Sequence, residues 1–249
     1  MAGGFVELNG IVLSSSNLGD YDKRIVVLTK EKGKAVIFAK GARKMNSPLT
    51  AACQTFAFGT FKVYEGKNYN LNEASIKDYF VELREDIEGL YRGFYFCEMV
   101  EHFTVEGSQD VDILNLLYVA LTALRKKQMR ASLIQIAFEM RIMASFGLGM
   151  EVSSCLLCGK EETEKEHNLV RFSSSKGGML CADCAKEAGY TLPVSSSSLY
   201  AMQYILSAPL SRLFGFDLKS ENEMELAKIS KDYIKTQVNH KFKSLDFIT

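Results

Sequence analysis

Two hydrophobic periods divide the chain. Over residues 1–80 apolar and polar positions alternate in short runs, as in half-buried strands; from about residue 81 apolar residues recur every three or four positions, as in helices. In the first stretch Val6, Leu8, Gly10 and Val12 share one parity, with Phe5, Glu7, Asn9, Ile11 and Leu13 on the other. Residues 25–29 are apolar and rich in β-branched side chains. Lys30-Glu31-Lys32-Gly33-Lys34 then reads as a hairpin turn in which Gly33 supplies positive φ, and residues 35–39 return as the next strand. A loop containing Gly, Pro and Ser spans residues 41–50. Two further strands, 55–64 and 69–79, are joined by Glu65-Gly66-Lys67-Asn68. Five short strands fit a small barrel, in which closure removes exposed edges, and an OB-type barrel is the leading expectation.

In the second stretch Leu83, Ile87, Leu90, Tyr91, Phe94, Cys97 and Val100 form one helical stripe. Val111, Leu114, Leu117, Tyr118, Leu121 and Leu124 form another after an Asp110 cap. A third helix is expected over 130–146, stopping at Gly147 and Gly149. Four serines, 195–198, precede Leu199, Met202, Ile205 and Leu206. A last pattern over 223–238 puts Leu226, Ile229, Tyr233 and Ile234 on one face. The fold class expected is therefore α+β, an N-terminal barrel followed by a helical domain.

Between these helical stretches lie Cys155, Cys158, Cys181 and Cys184, two C-x-x-C pairs separated by 22 residues. Each pair presents two thiolates from one tight turn, and two such turns facing each other make a tetrahedral S4 site suited to Zn2+. Gly159, the short strand Leu169-Val170-Arg171-Phe172 and the turn Gly177-Gly178 supply the ribbon between them. Four thiolates leave no position for water, so one structural Zn2+ per chain is expected and a catalytic metal is not. A redox dithiol or a pair of disulfides are the alternatives. A thioredoxin-like site needs its C-x-x-C at the start of a helix in a βαβ unit, and nothing around Cys155 supplies one. His167 could replace one thiolate, although a solvated histidine beside the acidic run 161–166 is the simpler reading. Cys53 and Cys97 stand alone in apolar surroundings and read as small buried residues. The division expected is 1–80 barrel, 81–152 helical, 153–188 zinc insert, 189–249 helical again.

Charge changes the picture for the barrel. Lys and Arg number 30 and so do Asp and Glu, yet residues 1–80 hold 11 basic against 7 acidic side chains. The surplus gathers at Lys23-Arg24, at Lys30, Lys32 and Lys34, and in Lys40-Gly41-Ala42-Arg43-Lys44. Tyr21, Phe38, Phe61, Tyr64 and Tyr69 are available for stacking. Long cationic arms beside aromatic faces suit a nucleic-acid strand, and Arg24, Lys34, Lys40, Arg43 and Lys44 are the candidate contacts. Any one of these lysines taken singly is better explained as a solubilising turn residue; the cluster at 40–44 is what favours nucleic acid. Arg125-Lys126-Lys127 and Arg130, with Arg141 further on, form a basic knot between apolar helices. That knot suits an acidic, hydrophobic-ended peptide, or simply a helix C-terminus.

No phosphate loop is present: Leu28 stands where the first glycine of G-x-x-x-x-G-K-[ST] belongs and Ala35 follows Lys34. G-x-S-x-G and H-E-x-x-H are absent too, so an enzyme is not expected. The N-terminus carries no signal-peptide pattern and no run approaches the length of a membrane span, so a cytoplasmic protein with no membrane partner is expected.

Taken in order, these parts resemble the RecO family of bacterial recombination mediators. The resemblance rests on Gly10-Ile11-Val12-Leu13, on Gly19-Asp20-Tyr21-Asp22-Lys23-Arg24-Ile25-Val26, and on Thr29-Lys30-Glu31-Lys32-Gly33-Lys34 running into Ala39-Lys40-Gly41-Ala42-Arg43. The cysteine quartet after Phe146-Gly147-Leu148 and the C-terminal His240-Lys241-Phe242-Lys243-Ser244-Leu245 complete it. It implies a protein that binds single- and double-stranded DNA and anneals strands coated by single-strand-binding protein. It further implies work with RecR to load RecA, and contact with the C-terminal tail of single-strand-binding protein. Lys40, Arg43 and Lys44, preceded by Arg24, match the family's basic barrel motif. No motif aligns a pocket for that tail, and Arg130 and Arg141 are only candidates for it. The rival expectations are a zinc-braced interaction adaptor without DNA binding and a zinc-dependent nucleic-acid enzyme; the closed quartet and the missing H-x-E motif count against the enzyme.

Overall fold

The computed structural model describes residues 3–108, 110–162 and 168–248. His167, considered above as a metal ligand, lies outside the described residues. Strands β1 (Gly4–Leu18), β2 (Asp22–Thr29), β3 (Gly33–Ala39), β4 (Phe58–Glu65) and β5 (Tyr69–Asp78) close a barrel in the order β1-β2-β3-β5-β4. All neighbours are antiparallel except β3 and β5. A four-residue helix, α1 (Leu49–Ala52), lies between β3 and β4. This is the OB arrangement.

Closure depends on β1, which is long enough to be shared. Its first half, Gly4–Ile11, pairs with β4, and Gly10–Leu18 pairs with β2, with a register shift between Val12 and Ser14. At the overlap Gly10 stands opposite both Thr29 and Gly59, and a Cβ there would lie 2.1 Å from the Leu28 carbonyl oxygen. Only a glycine admits that approach of backbones. The alternating inward side chains Leu8, Val12, Ile25, Val27, Ala35, Ile37, Phe61, Val63 and Leu71 fill the interior. The opposite parity is not uniformly wet: Ile11, Leu13, Val26 and Leu28 are buried as well, because helices α2 (Ile87–Phe103) and α3 (Val111–Lys126) pack against β1 and β2. The mixed look of the first strand's parities is thus a strand covered on both faces over half its length.

Two local differences from the periodicity have physical causes. β4 begins at Phe58 rather than near residue 55, because Phe56 takes φ 76° and turns its ring, fully buried, onto Phe94 of α2 at 5.0 Å. α1 is too short to leave a helical period, and it falls at the end of the segment read as loop.

The chain forms two compact units. One takes in the chain up to Lys126 together with the residues from Phe242 on; the other is Lys127–Lys241. Helices α2 and α3 therefore group with the barrel. In the first unit the C-terminal segment is anchored on α2, where the Glu98 carboxylate accepts the backbone N–H groups of Lys243 and Ser244, each at 2.8 Å. The Phe242 ring meets Tyr95 edge-on at 5.6 Å.

The second unit is built on α4 (Ala131–Ser145), whose apolar residues are buried nearly all round, as expected of a helix with neighbours on several sides. A small sheet follows, of β6 (Leu169–Ser173), β7 (Gly178–Cys181) and β8 (Leu192–Pro193) in the order β7-β6-β8, with the short helix α5 (Ala182–Ala185) after β7. Helices α6 (Ser196–Ser207) and α7 (Ser220–Gln237) pack on α4 and on each other. The Ser195 hydroxyl caps α6 by accepting from the Ser198 N–H, the role its sequence position suggests. Among the described residues no helix is long and apolar enough to cross a membrane.

Candidate nucleic-acid interface and metal centre

The basic turn after β3 is held by the loop between β1 and β2. Gly41, at φ 69°, donates its N–H to the Asp22 carboxylate at 2.7 Å. Arg43 donates its backbone N–H to the Tyr21 carbonyl at 2.8 Å and its guanidinium to the Gly19 carbonyl at 3.0 Å. Lys44 closes the turn onto the Gly41 carbonyl, and its ammonium stands 6.0 Å from the centre of the Tyr21 ring. Tyr21 is 58% exposed. Three exposed cations, Lys40, Arg43 and Lys44, are thereby presented from a fixed backbone beside an open aromatic face. Long-range charge and a flat ring are what a strand of phosphates and bases engages.

Next to this turn lies a cleft of about 380 Å3 lined by Leu18, Asp22, Phe38, Lys40, Tyr64, Gly66, Lys67, Asn68 and Asn70. It opens between the β1–β2 loop, the end of β3 and the β4–β5 turn, the part of an OB barrel at which oligonucleotides and oligosaccharides bind. Tyr64 makes an edge contact with Phe5 at 5.5 Å, and the Lys62 ammonium lies 5.8 Å from the Phe5 ring centre. Tyr64 is one of the aromatics that the sequence offers for stacking, whereas Phe5 and the cations Lys62 and Lys67 stand outside the charge clusters. Strand parity does place them: with Phe61 and Val63 inward, Lys62 and Tyr64 must face out. Of the other aromatic candidates, Phe61 is fully buried and Tyr69 packs against the barrel core.

The remaining sequence candidates sit elsewhere. Arg24 is half-buried on β2, registered against Ser16 and Phe38, on the strand that leads from the basic turn's partner loop. Lys34 donates its ammonium to the Glu101 carbonyl at 2.7 Å, in the last turn of α2, where cations are favoured. Arg130 pairs with Asp217 at 2.8 Å and with Glu223, and also reaches the Leu218 carbonyl; its guanidinium holds the Asp217 carboxyl below the usual carboxylate range. Arg141 donates to the carbonyls of Ile205, Leu206 and Ala208 at 3.0–3.2 Å, closing the end of α6. In the first unit Arg125 is likewise engaged, paired with Asp78 at 2.8 Å and stacked 4.9 Å from the Phe80 ring centre. The structure thus brings Lys40, Arg43 and Lys44 together and leaves Lys34, Arg130 and Arg141 occupied by internal partners.

The cysteine quartet converges in the second unit. Cys155 and Cys158 belong to a knuckle in which Gly159, at φ 72°, donates to the Cys155 carbonyl at 2.9 Å and Cys155 donates to the Lys160 carbonyl at 2.8 Å. Cys181 ends β7 and Cys184 lies one turn later in α5. All four sulfurs lie within 4.8 Å of one another, and the Cys158 and Cys181 sulfurs are 3.7 Å apart. A tetrahedral site with metal–sulfur bonds of ~2.3 Å has sulfur–sulfur edges of roughly 3.8 Å, so the quartet fits a metal ion. Burial alone would push the Cys155 thiol up, but backbone N–H groups of Cys181, Cys158 and Leu157 and the Cys158 side chain outweigh it and draw it down to about 6. The backbone thus favours thiolate, the form that binds metal, at Cys155, while the neighbouring sulfurs push the Cys184 thiol up in the absence of a cation.

Known proteins resemble this chain over nearly its whole length. The family model described as Recombination protein O N terminal matches residues 1–80, and that described as Recombination protein O C terminal matches residues 84–246. A DNA repair protein RecO of Acetivibrio thermocellus is 30% identical over 245 residues, covering 98% of this chain and 96% of that protein. That of Alkaliphilus metalliredigens is 30% identical over 243 residues, 97% of each chain, and that of Caldanaerobacter subterraneus is 26% identical over 98% of this chain and 97% of its own. With both domain models matched, the barrel and the helical unit with its cysteine quartet identify the chain as a member of the RecO family of recombination proteins.

Proposed function

We propose that this protein is a non-enzymatic mediator of recombinational DNA repair that binds single- and double-stranded DNA and anneals complementary strands. In this reading it acts with RecR to load RecA onto strands coated by single-strand-binding protein. The observation that carries the reading is the turn of Lys40, Arg43 and Lys44, pinned to the Tyr21 loop beside an open cleft. Relatives named as DNA repair proteins over nearly their full lengths support the same role.

Annealing on such a surface needs no nucleotide hydrolysis. Cations reduce the repulsion between two strands, and base pairing supplies the downhill free energy. In this reading Cys155, Cys158, Cys181 and Cys184 hold one Zn2+, which supplies a closed cross-link between the 155–158 knuckle and the β7–α5 corner. The residues themselves orient the four sulfurs toward one another.

The test is a strand-annealing assay with complementary oligonucleotides, run without ATP, with bare strands and with strands coated by single-strand-binding protein. Acceleration in both settings is expected. A protein that neither binds the oligonucleotides at low salt nor accelerates their pairing is a zinc-braced adaptor instead.

A further inference from the structure

The cleft between the β1–β2 loop, β3 and the β4–β5 turn has a chemistry that phosphate binding does not explain. Two aromatic residues, Phe38 and Tyr64, and the apolar Leu18 line it together with Asn68 and Asn70, the Asn70 amide donating to the Asn68 carbonyl at 3.3 Å. Its wall also carries the Asp22 carboxylate, whose Oδ1 is fixed by the Gly41 N–H at 2.7 Å. A carboxylate repels a phosphate placed in the same cavity, whereas the amino and ring N–H groups of a nucleobase can donate to it. Cations border the cleft on two different elements, Lys40 after β3 and Lys67 in the β4–β5 turn. A volume of about 380 Å3 stands near the lower end of the roughly 300–1,000 Å3 typical of ligand pockets, which suits one planar ring system rather than several.

We infer that this cleft receives a single unstacked base of single-stranded DNA. Phe38 and Tyr64 pack against the base, and Lys40 and Lys67 reach the phosphates on either side of it. This deepens the proposed function and rests on it. It adds a discrimination that a cationic turn alone does not provide: a base in a duplex is paired and stacked and must be extruded before it can enter, at a cost a single strand largely avoids. The turn of Lys40, Arg43 and Lys44 attracts either form of DNA, and the cleft then favours the single strand.

The experiment compares three ligands for the full-length protein by fluorescence anisotropy: a labelled single strand, an abasic strand with the same number of phosphates, and a duplex. The wild type is expected to bind the base-bearing strand roughly tenfold more tightly than the abasic one, as stacking one base on aromatic side chains gives. Tyr64→Ala, at a site 42% exposed, and Phe38→Leu, which keeps an apolar side chain, are expected to bring the base-bearing strand toward the abasic affinity and leave the duplex unchanged. Equal wild-type affinity for base-bearing and abasic strands overturns the cleft assignment while leaving a DNA-binding barrel standing; so do variants that lose single strand and duplex in step. Absence of binding to all three ligands removes the proposed function along with it.

Discussion

Arg43 donates its backbone N–H to the carbonyl of Tyr21 at 2.8 Å, so the basic turn and the β1–β2 loop form one rigid edge of the barrel. The guanidinium of the same residue holds the Gly19 carbonyl at 3.0 Å and the ammonium of Lys44 lies toward the Tyr21 ring, so backbone and side chains of the turn share one partner loop. A preorganised cationic edge loses less conformational entropy on binding a strand than three lysines on a free loop would.

Charge reversal at this edge, Lys40→Glu with Arg43→Glu and Lys44→Glu, is expected to weaken DNA binding and to flatten its dependence on salt. Each phosphate contact contributes about 0.7 to the log–log slope for a single strand, so loss of three contacts lowers the slope by about 2. Titrations at several salt concentrations measure it. An unchanged slope removes the turn from the interface.

The shared strand β1 makes a sharp stability prediction. Gly10→Ala places a Cβ 2.1 Å from the Leu28 carbonyl oxygen, between two strands that cannot separate without opening the barrel. Overpacking of this kind costs roughly 2–3 kcal/mol, whereas Gly4→Ala, whose Cβ meets nothing within 4 Å, is expected to be close to neutral. Denaturant midpoints of the two variants measure the difference, and equal midpoints would show that the strands can yield there.

Much of this was written in the local pattern and some of it was not. The apolar, β-branched run at residues 25–29, the turn at Gly33 and the apolar return over 35–39 announce two strands of a hairpin. The cysteine spacing announces its site because two tight turns are needed whatever the rest of the fold. Lys34 and Glu101, by contrast, are 67 residues apart, and nothing local to Lys34 shows that its ammonium ends on a helix carbonyl rather than in solvent. The same holds for Arg141, whose carbonyl partners lie 64 to 67 residues later, and for the anchoring of residues 243 and 244 on Glu98. Arginines and lysines with distant backbone partners look identical in sequence to those left free to meet a ligand. The cleft escaped for a related reason: Leu18, Phe38, Tyr64 and Asn70 come from four strands, and only barrel closure brings them together.

Arg141 therefore has an expected role in stability. Its guanidinium satisfies three carbonyls at the end of α6, and burial draws its pKa below the ordinary arginine value. Arg141→Ala leaves those carbonyls without their charged donor and is expected to destabilise the second unit by about 1–2 kcal/mol. Arg141→Lys, which keeps a point charge but not the planar fork, is expected to lose less. Thermal unfolding followed by hydrogen exchange in α6 reports both. An alanine variant as protected as wild type would mean that water replaces the guanidinium at no cost.

The six cysteines divide into two chemical classes, and thiol labelling distinguishes them. Cys53 and Cys97 are 0% and 1% exposed; burial is the main cause that pushes both thiols up, Cys53 to about 11. The other four face one another at metal-binding distance. Native protein as purified is expected to contain one zinc per chain and to resist a thiol reagent at neutral pH. Removal of the metal with a chelator is expected to expose the quartet and loosen the β6–β7 ribbon, while Cys53 and Cys97 stay unreactive until denaturant opens the barrel and α2. Because the folded Cys53 thiol titrates above its ordinary value of 9.0, the folded state holds its proton more tightly. The stability this contributes is present below about pH 9 and is lost as pH rises through about 11, so Cys53→Ala is expected to unfold less steeply over that window. Rapid labelling of all six thiols on chelation alone would show that the barrel core depends on the metal, and a metal-free native protein would leave the quartet without its cross-link.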